Sequence, residues 1–174
     1  MPPRVVLVGP PGSGKSTTAR VLAARLGVDA RDTDEDVEAS AGSSISDIFV
    51  EQGEEVFRAL EREAVAAAIA EHDGVLALGG GSVLDDTTRE RLRGLTVVFL
   101  DVGIKDAASR IGFNRDRPLL LGNPRAQWIR LMEARRHLYD EVATERVDTA
   151  GKSADEVADE VVAVIAEPGR RSEA

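Results

Sequence analysis

Cysteine is absent from the 174 residues, which excludes disulfides and thiolate metal sites. Nothing in the composition asks for an oxidising compartment, so a cytoplasmic location is the simplest expectation. Aromatic side chains are scarce, with four Phe, one Tyr and one Trp, so any aromatic near a site stands out. The two histidines, His72 and His137, are isolated and fit no metal-ligand spacing. Surface or structural roles are expected for both. No apolar run approaches the roughly 20 residues needed to cross a bilayer, and no membrane partner is expected. Met-Pro-Pro-Arg leads straight into the first apolar run, so no signal peptide is expected ahead of it. Positive charge is in deficit, with 22 Lys and Arg against 31 Asp and Glu. The net charge of −9 argues against nucleic acid as a partner. That deficit is uneven. Residues 110–136 hold seven arginines against Asp116 and Glu133, a net +5 that leaves −14 on the rest of the chain. Part of this could be a solvated helix face; a cationic patch on an acidic chain also concentrates an anionic ligand.

What the chain does contain is a strand, a glycine loop and a helix in immediate succession. Residues 9–16 read Gly-Pro-Pro-Gly-Ser-Gly-Lys-Ser, matching every fixed position of the phosphate-loop pattern G-x-x-x-x-G-K-[ST]. Gly12 and Gly14 let the backbone curl so that successive N–H groups face phosphate oxygens. Lys15 reaches the β- and γ-phosphates, and the Ser16 hydroxyl suits Mg²⁺. The apolar run at 4–8 reads as a buried parallel strand. Ala19, Leu22, Ala23 and Leu26 then recur at helical spacing. A glycine-rich turn with a solvated lysine is the alternative, and the strand–loop–helix order speaks against it.

Further strand-like runs fall at 74–78 and 96–100, with weaker ones at 29–33 and 145–148. Helical patterns occupy about 15–26, 34–41, 53–71, 86–93, 104–111, 124–142 and 153–166. The alternation implies an α/β fold with a parallel five-stranded sheet and helices on both faces, a three-layer arrangement. One domain is expected over 1–166, with 167–174 a frayed tail. Ligands of such sheets bind beyond the carboxyl ends of the strands. That rule selects the phosphate loop, Asp32-Thr33-Asp34, Gly79-Gly80-Gly81 and Asp101. Residues 112–123 lack periodicity, are bracketed by glycines and carry arginines and Pro118. They read as a lid, or else as a plain surface loop.

Asp32 and Asp34, two apart on an extended segment, would point the same way. One suits Mg²⁺, through water, and the other suits the proton of an attacking hydroxyl. Asp34 could equally cap the helix that follows. Three consecutive glycines are conformationally costly, so something must approach their backbone closely. That could be a substrate hydroxyl or carboxylate, or only a tight loop. Arg58 could be a solvated helical arginine, and Phe49 and Phe57 could be core or the wall of an apolar pocket.

Taken in order, these residues resemble the shikimate kinase family. The matching features are the phosphate loop through Thr17, Asp32-Thr33-Asp34, Ser46-Asp47-Ile48-Phe49 and Gly53-Glu54-x-x-Phe57-Arg58-x-x-Glu61. Then follow Gly79-Gly80-Gly81, Asn114-x-x-Arg117-Pro118-Leu119-Leu120 and Arg135-x-x-Leu138-Tyr139. The resemblance implies a P-loop, nucleoside-monophosphate-kinase-like fold and transfer of the γ-phosphoryl of ATP to the 3-hydroxyl of shikimate. It implies that Gly12, Ser13, Gly14, Lys15, Ser16 and Thr17 hold ATP, with Ser16 and Asp32 on Mg²⁺. Asp34, Arg58, Gly79, Gly80, Gly81 and Arg135 would meet shikimate, beside Phe49 and Phe57. Arg117 in the lid would meet the ATP phosphates, and Arg110 would lie along the adenine. Lys15, Asp34 and Arg117 would be the catalytic set. The enzyme is expected to be a monomer. His137 stands where the family commonly has proline. Arg135 is chosen over its neighbour Arg136 by spacing to Leu138-Tyr139. The segment 150–154 matches poorly, and Lys152 is the residue there expected near the nucleotide. A kinase acting on gluconate or a nucleotide, and a nucleotide-binding module without catalysis, are the competing readings. The presence of Lys15, Asp34 and Arg117 weighs against the module.

Overall fold

A computed structural model describes residues 1–111 and 122–167. Five parallel strands form one sheet in the order β2-β3-β1-β4-β5. They are β1 (Val5–Val8), β2 (Ala30–Asp32), β3 (Val75–Ala77), β4 (Val97–Asp101) and β5 (Glu145–Asp148). Each falls inside or within one residue of its sequence-based expectation. Register is set by Val6, which pairs with Leu76 on one side and Val97 on the other.

Alternation along β1 explains why the sheet is covered twice. Val5 and Leu7 face one layer, made by α1 (Lys15–Leu26) and α8 (Ala154–Ala166) through Leu22, Ala23, Val157 and Val161. Val6 and Val8 face the other layer. That layer is built from α4 (Glu54–Glu71), α5 (Asp86–Leu92), α6 (Ile104–Ile111) and α7 (Pro124–Val142). All four β1 side chains are buried, as a strand covered on both faces requires. The connections leaving the neighbouring strands β1 and β3 run over opposite faces. The crevice between them is a topological switch point, and it puts the phosphate loop beside the glycine run.

Two α-helices differ from expectation, and an unforeseen 3-10 turn of helix follows the glycine run at Ser82–Leu84. An unforeseen helix, α3 (Ile45–Gln52), precedes α4, and Gly53 at φ 89° separates the two. Ser44 caps α3 by accepting from the Asp47 amide. Together α2 (Thr33–Ala41), α3 and α4 close a small core of Val37, Ile48 and Phe57 at the β2 edge of the sheet. Second, α2 starts at Thr33, so Asp34 lies in its first turn rather than on an extended segment. Asp32 is the N-cap and accepts from the Asp34 amide at 2.9 Å; Asp34 is not the cap. Of the expected lid, 112–121 lie outside the described residues, Arg117 included. Asn123 caps α7 by accepting from the Ala126 amide. The expected tail from 168 onward is also outside the described residues.

Candidate active site

The phosphate loop turns through left-handed glycines at Gly12 and Gly14, φ 83° and 85°, a conformation other residues adopt only under strain. A Cβ on Gly12 would also stand 2.9 Å from the Ala107 backbone. Gly14 opens α1 with no side chain capping it, so the first amides of the helix face the cleft with the positive end of its dipole. Lys15 folds over the loop, its Nζ donating to the carbonyls of Gly9 at 2.7 Å and Pro10 at 3.1 Å. A cleft of about 440 Å³ lies above, lined from Pro11 to Thr18 and by Asp32, Asp34, Arg110 and Lys152.

The Ser16 hydroxyl donates to the Asp32 carboxylate. Both are hard oxygen donors at the mouth of this cleft. Among the described residues no cluster of three His, Cys, Asp or Glu could hold a metal. A Mg²⁺ site built here would depend on phosphate and water oxygens for the rest of its shell, as Mg²⁺ commonly does. Between the two aspartates, Thr33 is fully buried and its hydroxyl accepts from the Gly79 amide at 3.1 Å.

That bond brings the glycine run against the charged residues, and each glycine meets a different one. A Cβ on Gly79 would lie 2.5 Å from an Asp34 carboxylate oxygen and 2.9 Å from Glu61. On Gly80 it would stand 3.3 Å from the Gly9 carbonyl and 3.6 Å from the Arg135 guanidinium; on Gly81 it would collide with the Arg58 guanidinium. Arg58 is held by Glu61 at 2.8 Å, on the next turn of α4, and stacks 5.2 Å over the Phe57 ring. Glu61 is buried, a position a carboxylate takes only when paired.

The adjacent arginines of α7 part ways. Arg135 is 3% exposed on the face that looks at Gly80, and no carboxylate among the described residues pairs with it. Arg136 turns outward to Asp101, donating at 2.9 and 3.2 Å, and this bond raises its pKa. Tyr139, one turn after Arg135, is fully buried and donates to the Gly80 carbonyl at 2.7 Å. Burial pushes its phenol pKa up, against the opposing pull of the Arg135 cation.

On the far side of the cleft, Arg110 ties the phosphate loop to the 149–152 segment. It donates to the carbonyls of Gly12 and Thr149 and to the Thr149 hydroxyl. Lys152 lines the cleft, yet its Nζ is engaged by the Asp148 carbonyl and Glu160. Phe49 and Phe57 pack at 4.8 Å between centroids in the small core under α4. His72 holds the chain entering β3, its Nε2 near the carbonyls of Asp29 and Val75, and His137 is exposed.

The family model described as shikimate kinase matches residues 11–166. The chain belongs to the shikimate kinase family. A shikimate kinase of Streptomyces avermitilis is 57% identical over 160 residues, which span 92% of this chain and 94% of that one. One from Streptomyces coelicolor is 56% identical over 155 residues, 89% and 91% of the two chains. A solved shikimate kinase from Acinetobacter baumannii, in complex with shikimate, superposes with a TM-score of 0.92 at 32% identity and covers 98% of this chain and 97% of that one. The protein is accordingly a kinase on an α/β P-loop scaffold.

Within this shikimate kinase framework, three residues of the site had no role in the sequence reading. Glu61 orients Arg58, and the signal for it was present as an i, i+3 acid–base pair on one helix. Thr33 and Tyr139 act on glycines 46 and 59 residues away, and no local pattern announces such bonds.

Proposed function

We propose that the chain transfers the γ-phosphoryl group of ATP to the 3-hydroxyl of shikimate, giving 3-phosphoshikimate and ADP. The observation that carries this reading is the glycine run. Three residues without side chains let Asp34, Arg135 and Arg58 converge on one backbone segment beside the phosphate loop. Two guanidinium groups next to open backbone amides suit a small carboxylate, and an adjacent aspartate suits the hydroxyls of the same molecule.

In this reading Gly12 to Thr17 hold the triphosphate, and Lys15 leaves its loop carbonyls for the phosphate oxygens. Arg58 and Arg135 take the acceptor's carboxylate, with Gly79, Gly80 and Gly81 as its floor and Phe49 and Phe57 as its apolar wall. Asp34 orients the 3-hydroxyl and takes its proton as the new O–P bond forms. The bond from the γ-phosphorus to its bridging oxygen breaks, and ADP leaves. Ser16 and Asp32 are the residues that would hold Mg²⁺, which when bound neutralises charge on the phosphates. Arg117 meets the transferring group, a role resting on its motif alone. Arg110 lines the adenine side, with Lys152 beside it. Phosphoryl transfer asks for this positioning and charge stabilisation more than for covalent help. We assign the enzyme to the cytoplasm, as a monomer.

An ADP-coupled assay with ATP, Mg²⁺ and a panel of shikimate, gluconate and nucleoside monophosphates tests the proposal. Turnover with shikimate alone is expected. Turnover with another acceptor and none with shikimate would overturn it.

A further inference from the structure

Gly79, Gly80, Gly81 and Ser82 form a turn closed by the Ser82 amide donating to the Gly79 carbonyl at 3.0 Å. Gly81 sits at φ −93°, ψ 0°, the values of the third residue of a type I turn. Its partner geometry, type II, differs by a flip of the central peptide and puts the third residue at φ near +80°. Most residues resist that flip, but glycine accepts either sign of φ. The Gly80–Gly81 peptide is thus free to turn over unless something outside the turn holds it.

One group does. The Tyr139 hydroxyl donates to the Gly80 carbonyl at 2.7 Å. The ring is fully buried and stacked on Phe99, 5.1 Å between centroids at 24°, so the hydroxyl has a fixed place. A trans peptide sets its C=O and N–H on opposite sides. Holding the Gly80 carbonyl towards α7 therefore aims the Gly81 amide away from α7, on a residue that Arg58 packs against. Among the described residues neither the Gly80 nor the Gly81 amide has an acceptor. A flipped peptide would replace the Gly81 donor with a carbonyl oxygen, which repels a carboxylate.

We propose that Tyr139 is a positioning residue for the acceptor substrate: its hydroxyl keeps the Gly79–Ser82 turn in the type I form that presents the Gly81 amide. The proposal rests on the shikimate reading above and adds a residue to it. Tyr139 touches no substrate and acts through what its hydroxyl meets, the Gly80 carbonyl to which it donates and the Arg135 guanidinium beside it.

Tyr139→Phe removes one oxygen and keeps the stacked ring. The KM for shikimate should rise roughly five- to tenfold, the loss expected for one hydrogen bond of this kind. The KM for ATP should stay within about twofold. An unchanged shikimate KM, or an equal rise for both substrates, overturns the proposal, the second because it marks general loosening. Should Tyr139→Phe fail to fold, the single tyrosine allows uniform replacement by 3-fluorotyrosine, which lowers the phenol pKa. Shikimate affinity should then fall at lower pH than in the native protein, with ATP affinity unmoved; coincident profiles refute the idea. Failure of the parent reading looks different: the unaltered enzyme gives no turnover with shikimate, and both proposals fall together.

Discussion

The Thr33 hydroxyl accepts a hydrogen bond from the Gly79 amide at 3.1 Å across 46 residues of chain. This bond joins the aspartates at the end of β2 to the glycine run after β3, and so ties the proposed metal side of the site to the proposed acceptor side. Thr33→Val keeps the shape but leaves a buried N–H without a partner. We expect a loss of about 1–3 kcal/mol in stability, read from the denaturant midpoint. Thr33→Ser should recover most of it. A valine variant as stable as the parent would show that Gly79 finds another acceptor.

Gly81→Ala tests whether Arg58 must sit where it does. Gly81 has an ordinary negative φ, so alanine adds no backbone strain. Its Cβ would overlap the end of the Arg58 side chain, which must then swing away. The arginine would then lose its place beside Glu61. The shikimate KM should rise at least about tenfold, as expected for a displaced charge-assisted contact, and thermal stability should fall with it, because Glu61 is left buried without its partner. A normal KM would mean that Arg58 does not need its present position.

The same residue shows how far the sequence could be read. Three glycines in a row declared that something approaches closely, and apolar runs located β1, β3 and β4, whose residues are all buried; the edge strands β2 and β5, polar and partly exposed, gave only weaker signals. What approaches each glycine was not legible. Arg58 comes from α4 and Arg135 from α7, and their meeting depends on packing across the sheet. Helix α3 went unseen because eight residues give barely two turns of periodicity. The cap at Asp32 was misplaced by two residues because Asp32 and Asp34 are equally good capping residues, and only the path of β2 chooses between them.

Arg117 and Lys152 were both expected near ATP, and they should behave differently. Lys152 already has two partners, the Asp148 carbonyl and Glu160 at 2.8 Å. Lys152→Ala should therefore cost less than about tenfold in kcat. An arginine acting on the transferring phosphoryl group is worth about 10³ or more, so Arg117→Ala should lose at least that much. Steady-state kinetics at saturating shikimate and ATP decide the matter. Equal losses would strip Arg117 of its special part.

Tyr139 is the chain's one tyrosine, so the ultraviolet phenolate band reports on it alone. Burial raises its pKa, outweighing the Arg135 cation that favours the phenolate. The unfolded phenol should titrate near its ordinary value, about 10, and the folded one above it. Because the folded-state pKa is the higher, the unfolded state gives up its proton first as pH rises. Between the two pKa values the native protein binds more protons than the unfolded chain, and stability falls with increasing pH. Below about 10 both states keep the proton, so this contribution is intact there. The hydroxyl accordingly remains a donor to Gly80 throughout the neutral range. Tyr139→Phe should flatten the alkaline limb of the stability profile as well as abolish the phenolate signal. A folded-state titration at or below that of the urea-unfolded chain would mean that the hydroxyl is not held in the buried, donating position from which the Gly80 peptide takes its orientation.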